Sequence, residues 1–168
     1  MTHSADHFLA WLRDAHAMEV HAIALLRTQI GRIENYPELR ARLEEHLVQT
    51  EAQAQALQQL LDRQPGGGSM LKNVAGRLSA TAQGVTSLLS GDEVVKAAMA
   101  AYTFEHSEIA TYRVLIAAAD ELADTEALAV FEKNLAEEVA MATWLEGHLD
   151  VVTRLYLMRD ERNLQAKR

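Results

Sequence analysis

Carboxylates interrupt the apolar stripes of three long helical stretches in this chain. Glu19, Glu105, Glu108 and Glu138 each stand where the helical repeat calls for a core side chain. A carboxylate taken into a core without a partner is costly, so it pairs, takes up a proton or binds a metal. Three helices carrying the same violation point to one shared site, and therefore to a helical bundle that brings them together.

The stripes define the elements. Phe8, Leu12, Ala15, Glu19, Ala22, Leu26 and Ile30 predict a helix from about Asp6 to Ile33, closed by a turn at Asn35-Tyr36-Pro37. Leu39, Leu43, His46, Leu47, Thr50, Ala54, Leu57 and Leu61 predict a second, from about Glu38 to Arg63. A third covers about Glu93 to Ala119, with Val94, Ala98, Ala101, Tyr102, Glu105, Glu108, Ile109, Tyr112 and Ile116 on its stripe. A fourth opens at Asp124-Thr125 and runs to about Arg162 through Leu128, Phe131, Leu135, Glu138, Ala142, Leu145, Leu149, Val152 and Tyr156. Pro65-Gly66-Gly67-Gly68-Ser69 reads as a flexible crossover, followed by a short extra helix over about Met70 to Leu89.

Two short turns and one long crossover give two antiparallel hairpins, the connectivity of ferritin-like four-helix bundles. The fold class is therefore all-α, with residues 1–168 forming one ferritin-like domain. Composition agrees: apolar residues make up 49% of the chain but aromatics only 5%, and Ala and Leu favour helix over sheet. An internal echo supports a pseudo-twofold arrangement, since Met18-Glu19-Val20-His21 aligns with Phe104-Glu105-His106-Ser107, and Arg27 with Arg113.

Composition also narrows function. The chain has no cysteine, which removes disulfides, thiolate metal sites and cysteine catalysis. A net charge of −8 argues against nucleic acid as a partner. The basic stretch from Arg159 to Arg168 includes Asp160 and Glu161 and reads as a solvated helix end. No apolar run approaches the ~20 residues of a membrane span, and the start lacks a basic leader, so a cytoplasmic location is expected. Gly66-Gly67-Gly68-Ser69 lacks the lysine and strand of a phosphate-binding loop, and no Ser-His-Asp pattern appears.

Folding each hairpin about its turn puts Glu19 level with about Thr50, and Glu105 level with about Glu138. Two metal ions about 4 Å apart need hard carboxylate oxygens to neutralise and bridge them, with histidine as the usual complement for iron. The candidate metal set is Glu19, Glu105, Glu108 and Glu138, with His46 and Gln53 from the second helix, and iron or manganese as the cofactor. The di-metal plan of ferritin-like bundles takes a Glu from two helices and Glu-x-x-His from the other two. Here Met141 stands where that plan wants a histidine after Glu138, and the second helix offers His46, Gln49, Thr50 and Gln53 without a carboxylate in its stripe. His16 is a further candidate, as a ligand or as its support. The other reading is a polar core without metal, in which the glutamates pair with His16, His46, Gln53, Tyr102 or Tyr112. His21, His106 and His148 fall off the stripe centres; Met18, Met99 and Met141 read as core filler; Trp11 and Trp144 lie beside the stripes and suit a dimer contact.

Over about residues 6 to 150 the chain resembles the YciE/YciF family of ferritin-like bacterial proteins. Glu105-His106-Ser107-Glu108-Ile109-Ala110-Thr111-Tyr112 is similar to that family's E-H-Y-E-I-A-x-Y signature, Glu45-His46-Leu47 with Thr50 to its E-H-L-E-E-T segment, and Glu137-Glu138 to the start of E-E-K-A-T-D. Leu12-Arg13-Asp14 followed by Glu19 is similar to its first helix. The chain departs from the family at Val48 and Gln49, where two glutamates follow His-Leu, and at Ala142, where the family has Asp; both changes are expected on the bundle face. The resemblance implies a ferritin-like fold, a homodimer, and a stress-linked protein with metal-binding or ferroxidase-like activity. The alternative it leaves is a non-enzymatic helical dimer whose metal site is eroded.

Overall fold

The computed structural model describes residues 3–63 and 94–166. They form α1 (His3–Ile30), α2 (Pro37–Asp62), α3 (Val94–Glu121) and α4 (Thr125–Glu161), with no strand among them. This is the expected all-α, ferritin-like four-helix bundle. The crossover at 65–69 and the short helix expected over 70–89 lie outside the described residues.

Each helix packs on two others: α1 on α2 and α3, and α4 on α3 and α2. The core is divided along the bundle axis. One apolar cluster joins Phe8, Leu12 and Ala15 to Leu57, Leu61, Leu115 and Phe131. The other joins Leu26, Leu39 and Leu43 to Ala101, Met141, Leu145 and Val152. Neighbouring helices therefore run antiparallel, and the end of α2 lies at the opposite end of the bundle from the start of α3. A 26-residue helix such as α2 spans about 39 Å at 1.5 Å per residue, which sets the length of the bundle.

The helix ends differ from the sequence expectation in instructive ways. α1 stops at Ile30, three residues early, where Gly31 has low helix propensity. Ile33 instead sits in the turn and is buried in the second cluster. Pro37 opens α2 at the first helical position, where its missing N–H costs nothing.

α3 and α4 both close with the same hydrogen-bond pattern. Asp124 N–H donates to the Ala119 carbonyl (2.9 Å) and Ala123 N–H to that of Asp120 (3.0 Å). At the end of α4, Leu164 N–H donates to Arg159 (2.8 Å) and Asn163 N–H to Asp160 (3.0 Å). Both closures need a left-handed residue, and Ala123 (φ 54°) and Asn163 (φ 53°) supply it. Asp124 also caps α4, accepting from Ala127 N–H at 3.0 Å.

The C-terminal stretch is not simply a solvated helix end. After Asn163 the chain turns back, Ala166 is buried, and its carbonyl accepts a hydrogen bond from the Tyr36 hydroxyl. Met99, expected as core filler, is exposed; Met141 is fully buried. No helix among the described residues is long and apolar enough to cross a membrane.

A left-handed alanine carries a Cβ clash that glycine lacks. Ala123 is exposed, so nothing but the backbone is at stake. Ala123→Gly should raise stability by about 0.5–1 kcal/mol in urea unfolding, where the same change in a helix interior would lower it.

Candidate metal centre

Between the two apolar clusters lies a polar layer contributed by all four helices. Glu19 (α1), His46, Thr50 and Gln53 (α2), Glu105 and Glu108 (α3), and Asn134 and Glu138 (α4) are each no more than 3% exposed. The helical repeat explains the grouping. Glu105, Glu108 and Tyr112 follow one another at three- and four-residue spacing on one face of α3, as do Asn134 and Glu138 on α4.

His46, Glu105, Glu108 and Glu138 form the tightest group. Each offers one ligand atom, and these atoms all lie within 4.8 Å of one another. Donors on opposite sides of a first-row divalent ion stand about 4.2 Å apart, given bonds of about 2.1 Å. The 4.8 Å within which the four lie is only slightly wider than that span. His46 Nε2 lies 3.2 Å from Glu105 Oε2 and 3.4 Å from Glu138 Oε2, without a well-directed hydrogen bond to either.

The other ring nitrogen fixes what His46 can do. Its Nδ1 lies 3.2 Å from Gln49 Oε1. An amide oxygen only accepts, so Nδ1 carries the proton. In the neutral ring, Nε2 then turns a lone pair toward two carboxylates. That arrangement is repulsive until a proton or a metal ion lies between them, and it is how metal-binding histidines are commonly oriented.

Glu19 stands beside this group. Its Oε1 accepts a hydrogen bond from the Tyr112 hydroxyl, and Asn134 Nδ2 donates to that hydroxyl at 3.0 Å. Because the Asn134 amide donates to the phenol oxygen, the phenol proton is directed at Glu19. The second Glu19 oxygen is buried without a partner, as are oxygens of Glu105, Glu108, Gln53 and both of Glu138. Gln53 turns its amide nitrogen to Glu137 Oε2 (2.9 Å), leaving its carbonyl oxygen in the layer.

These orphaned oxygens are a cation-shaped defect. Buried polar atoms are nearly always paired, and here they cluster and are all acceptors. Without a cation, protons must take that role. Burial, with the charges of Glu105 and Glu19 alongside, pushes the Glu138 carboxyl up to about 10. Burial pushes Glu19 up to about 8, against the pull of the Tyr112 hydroxyl. Glu108 is raised well above the carboxylate range by burial and by Glu19, Glu138 and Glu105. Burial works against a charged His46, but the Glu105 carboxylate outweighs it and raises the imidazole. Tyr112 is raised well above its ordinary value by burial and by Glu19. A hard oxygen-rich set with one imidazole fits a divalent first-row ion such as iron or manganese.

Residues 3–158 match the family described as a domain of unknown function, DUF892. The chain belongs to this family. The kinship with YciE/YciF proteins read from the sequence is borne out at that level. Among solved structures, a protein from Xanthomonas campestris pv. campestris is 32% identical (TM-score 0.76), with 94% of this chain and 99% of that one covered. YcfI from Rhodopseudomonas palustris is 28% identical (TM-score 0.68), covering 87% and 94%. The stress protein YciF of E. coli is 20% identical (TM-score 0.70), covering 89% and 96%, a likeness of fold.

Several sequence expectations about the site change. His16 is half-buried and senses Asp62 near the end of α2, not the glutamates. Val48, expected on the bundle face, is 65% exposed, so a glutamate at that position would point to solvent. Its neighbour Gln49 supports His46 instead. Ala142 does lie in the core, and Met141 fills the second apolar cluster. Asn134 was not among the expected site residues, although it lies one turn before Glu138 and was therefore legible as part of that face.

The pKa shifts have a common sign. A carboxyl whose pKa is raised by folding binds more protons folded than unfolded, so its contribution is fully present below about 4.5 and is lost as pH rises toward about 8 for Glu19 and about 10 for Glu138. The raised His46 acts in the same direction. The metal-free DUF892 protein should therefore melt at a temperature lower by roughly 5 °C or more at about pH 8 than at about pH 5.5. Glu138→Gln should flatten that slope, as read by melts in chelator; an equally steep slope would contradict the assignment.

Proposed function

We propose that this protein is a ferritin-like metal-carboxylate protein, binding iron or manganese through His46, Glu105, Glu108 and Glu138, with Glu19 beside them. The observation that carries the reading is the set of partnerless buried carboxylate oxygens converging on the His46 lone pair. Four buried carboxylates match the charge of two divalent ions, which supports a di-metal centre in which Glu19 and Gln53 would be outer ligands. The bound metal would supply one-electron chemistry. A ferroxidase-like role has Fe²⁺ as electron donor and dioxygen or peroxide as acceptor.

The protein's own groups have defined parts in this reading. Gln49 holds His46 in the tautomer that leaves Nε2 available. Tyr112 and Asn134 hold Glu19 and keep a proton next to it. A role in stress response or oxidant handling is supported by the fold shared with YciF, which is described as a stress protein. The alternative is a non-enzymatic dimer with an eroded site, favoured by the burial of Met141 in the apolar cluster and by α2 offering His46 to the group but no carboxylate.

A homodimer in the cytoplasm completes the proposal. Trp11 is 42% exposed and Val114 49%, side by side in a groove between α1 and α3. Trp11→Glu should convert the dimer to monomer in sedimentation velocity; an unchanged dimer would move the interface elsewhere.

The direct test is metal-dependent stability. Mn²⁺ or anaerobic Fe²⁺ well above its dissociation constant should raise the melting temperature by roughly 5–10 °C. The rise should be larger at about pH 8 than at about pH 6, because ligands must lose protons to bind. Glu105→Ala should abolish it. No metal response in the native chain would favour the eroded-site reading.

A further inference from the structure

A cavity of about 20 Å³ opens between α1 and α3 and reaches the polar layer. Its inner end is formed by His46, Glu105 and Glu108, three of the four converging groups. Its walls are apolar: Ala22, Leu25 and Leu26 from α1, and Ala100, Ala101 and Phe104 from α3. The space exists because three of these wall residues are alanines on facing helices. A volume of this size admits one small molecule.

We propose that this cavity is the ligand subsite of the metal centre, admitting small uncharged molecules of one or two heavy atoms. The inference rests on the metal-binding reading above and adds the route and the class of ligand. Three observations converge on it. The cavity is lined by Glu105 and Glu108, and each of these carries a buried oxygen without a partner. Its walls offer an approaching ion little to replace its hydration shell, because the lining is alkyl and aryl apart from Gln29, so charged molecules are disfavoured. Its outer part is bordered by Phe104, which is half-buried and lies against the His21 ring with centroids 6.3 Å apart. Larger molecules would have to displace that ring pair.

Ala101 is the wall position to alter, since a longer side chain there grows into the cavity and Ala101 is not itself a candidate ligand. Nitric oxide on Fe²⁺-loaded protein, followed by optical and EPR spectra, and xenon in crystals of the metal-free protein are the two probes. Xenon should occupy the cavity in the native chain. Ala101→Leu should lose the xenon and slow nitric oxide association by about tenfold or more, with iron content unchanged. Phe104→Ala, which widens the opening, should speed that association, and it answers the question if the leucine variant does not fold. Unchanged nitric oxide kinetics in either variant, or no xenon in the native cavity, would overturn the proposal. Native protein that retains no iron would show in the metal content itself; the metal-binding reading would then have failed and this proposal with it, whereas iron retained without these kinetic effects sinks the subsite alone.

Discussion

The repulsion among Glu19, Glu105, Glu108 and Glu138 is the constraint around which the bundle is organised. Each is almost completely withdrawn from water, and the charges of Glu19 and Glu105 raise the cost of ionising Glu108 and Glu138. The positive group facing them, His46, offsets one charge at most, and only when protonated. Protons therefore hold the layer together when no metal is present, at the expense of stability as pH rises. A bundle built for stability alone would fill this layer with leucine, as it does on both sides.

The surrounding structure reduces the freedom of these groups. The two apolar clusters clamp the layer from either end, fixing the depth of each helix relative to its neighbours. Within the layer, Asn134 orients Tyr112, Tyr112 holds one oxygen of Glu19, and Gln49 sets the His46 tautomer. The consequence is a group of acceptors held at spacings near those of a coordination sphere. On the α1–α3 side, alanines in place of larger residues leave the layer within reach of a small molecule.

Much of this was legible in the chain. Helical periodicity located the four helices because long amphipathic segments repeat their signal many times. The same periodicity exposed the glutamates and His46 as residues out of character with their positions. Folding the hairpins about short turns brought Glu105 level with Glu138, because register within a hairpin follows from its turn. Contacts between hairpins were another matter. The bond from Tyr112 on α3 to Glu19 on α1 depends on which helices become neighbours, and nothing in either stripe states that. Val48 follows Leu47 on the side of α2 turned away from the bundle, a direction that a short family segment does not encode, and it is 65% exposed. The return of the C-terminal residues onto Tyr36 depends on one left-handed asparagine, a local signal too weak to outweigh the charges around it.

If the buried carboxylates share a cation, crystals grown without chelator and soaked in Mn²⁺ should reveal it in diffraction recorded for anomalous signal. An anomalous peak is expected between His46 Nε2 and the carboxylates of Glu105, Glu108 and Glu138, at about 2.0–2.4 Å from each. A layer without any such peak, with His46 still lying against Glu105 and Glu138 and no ion among the oxygens, would contradict it.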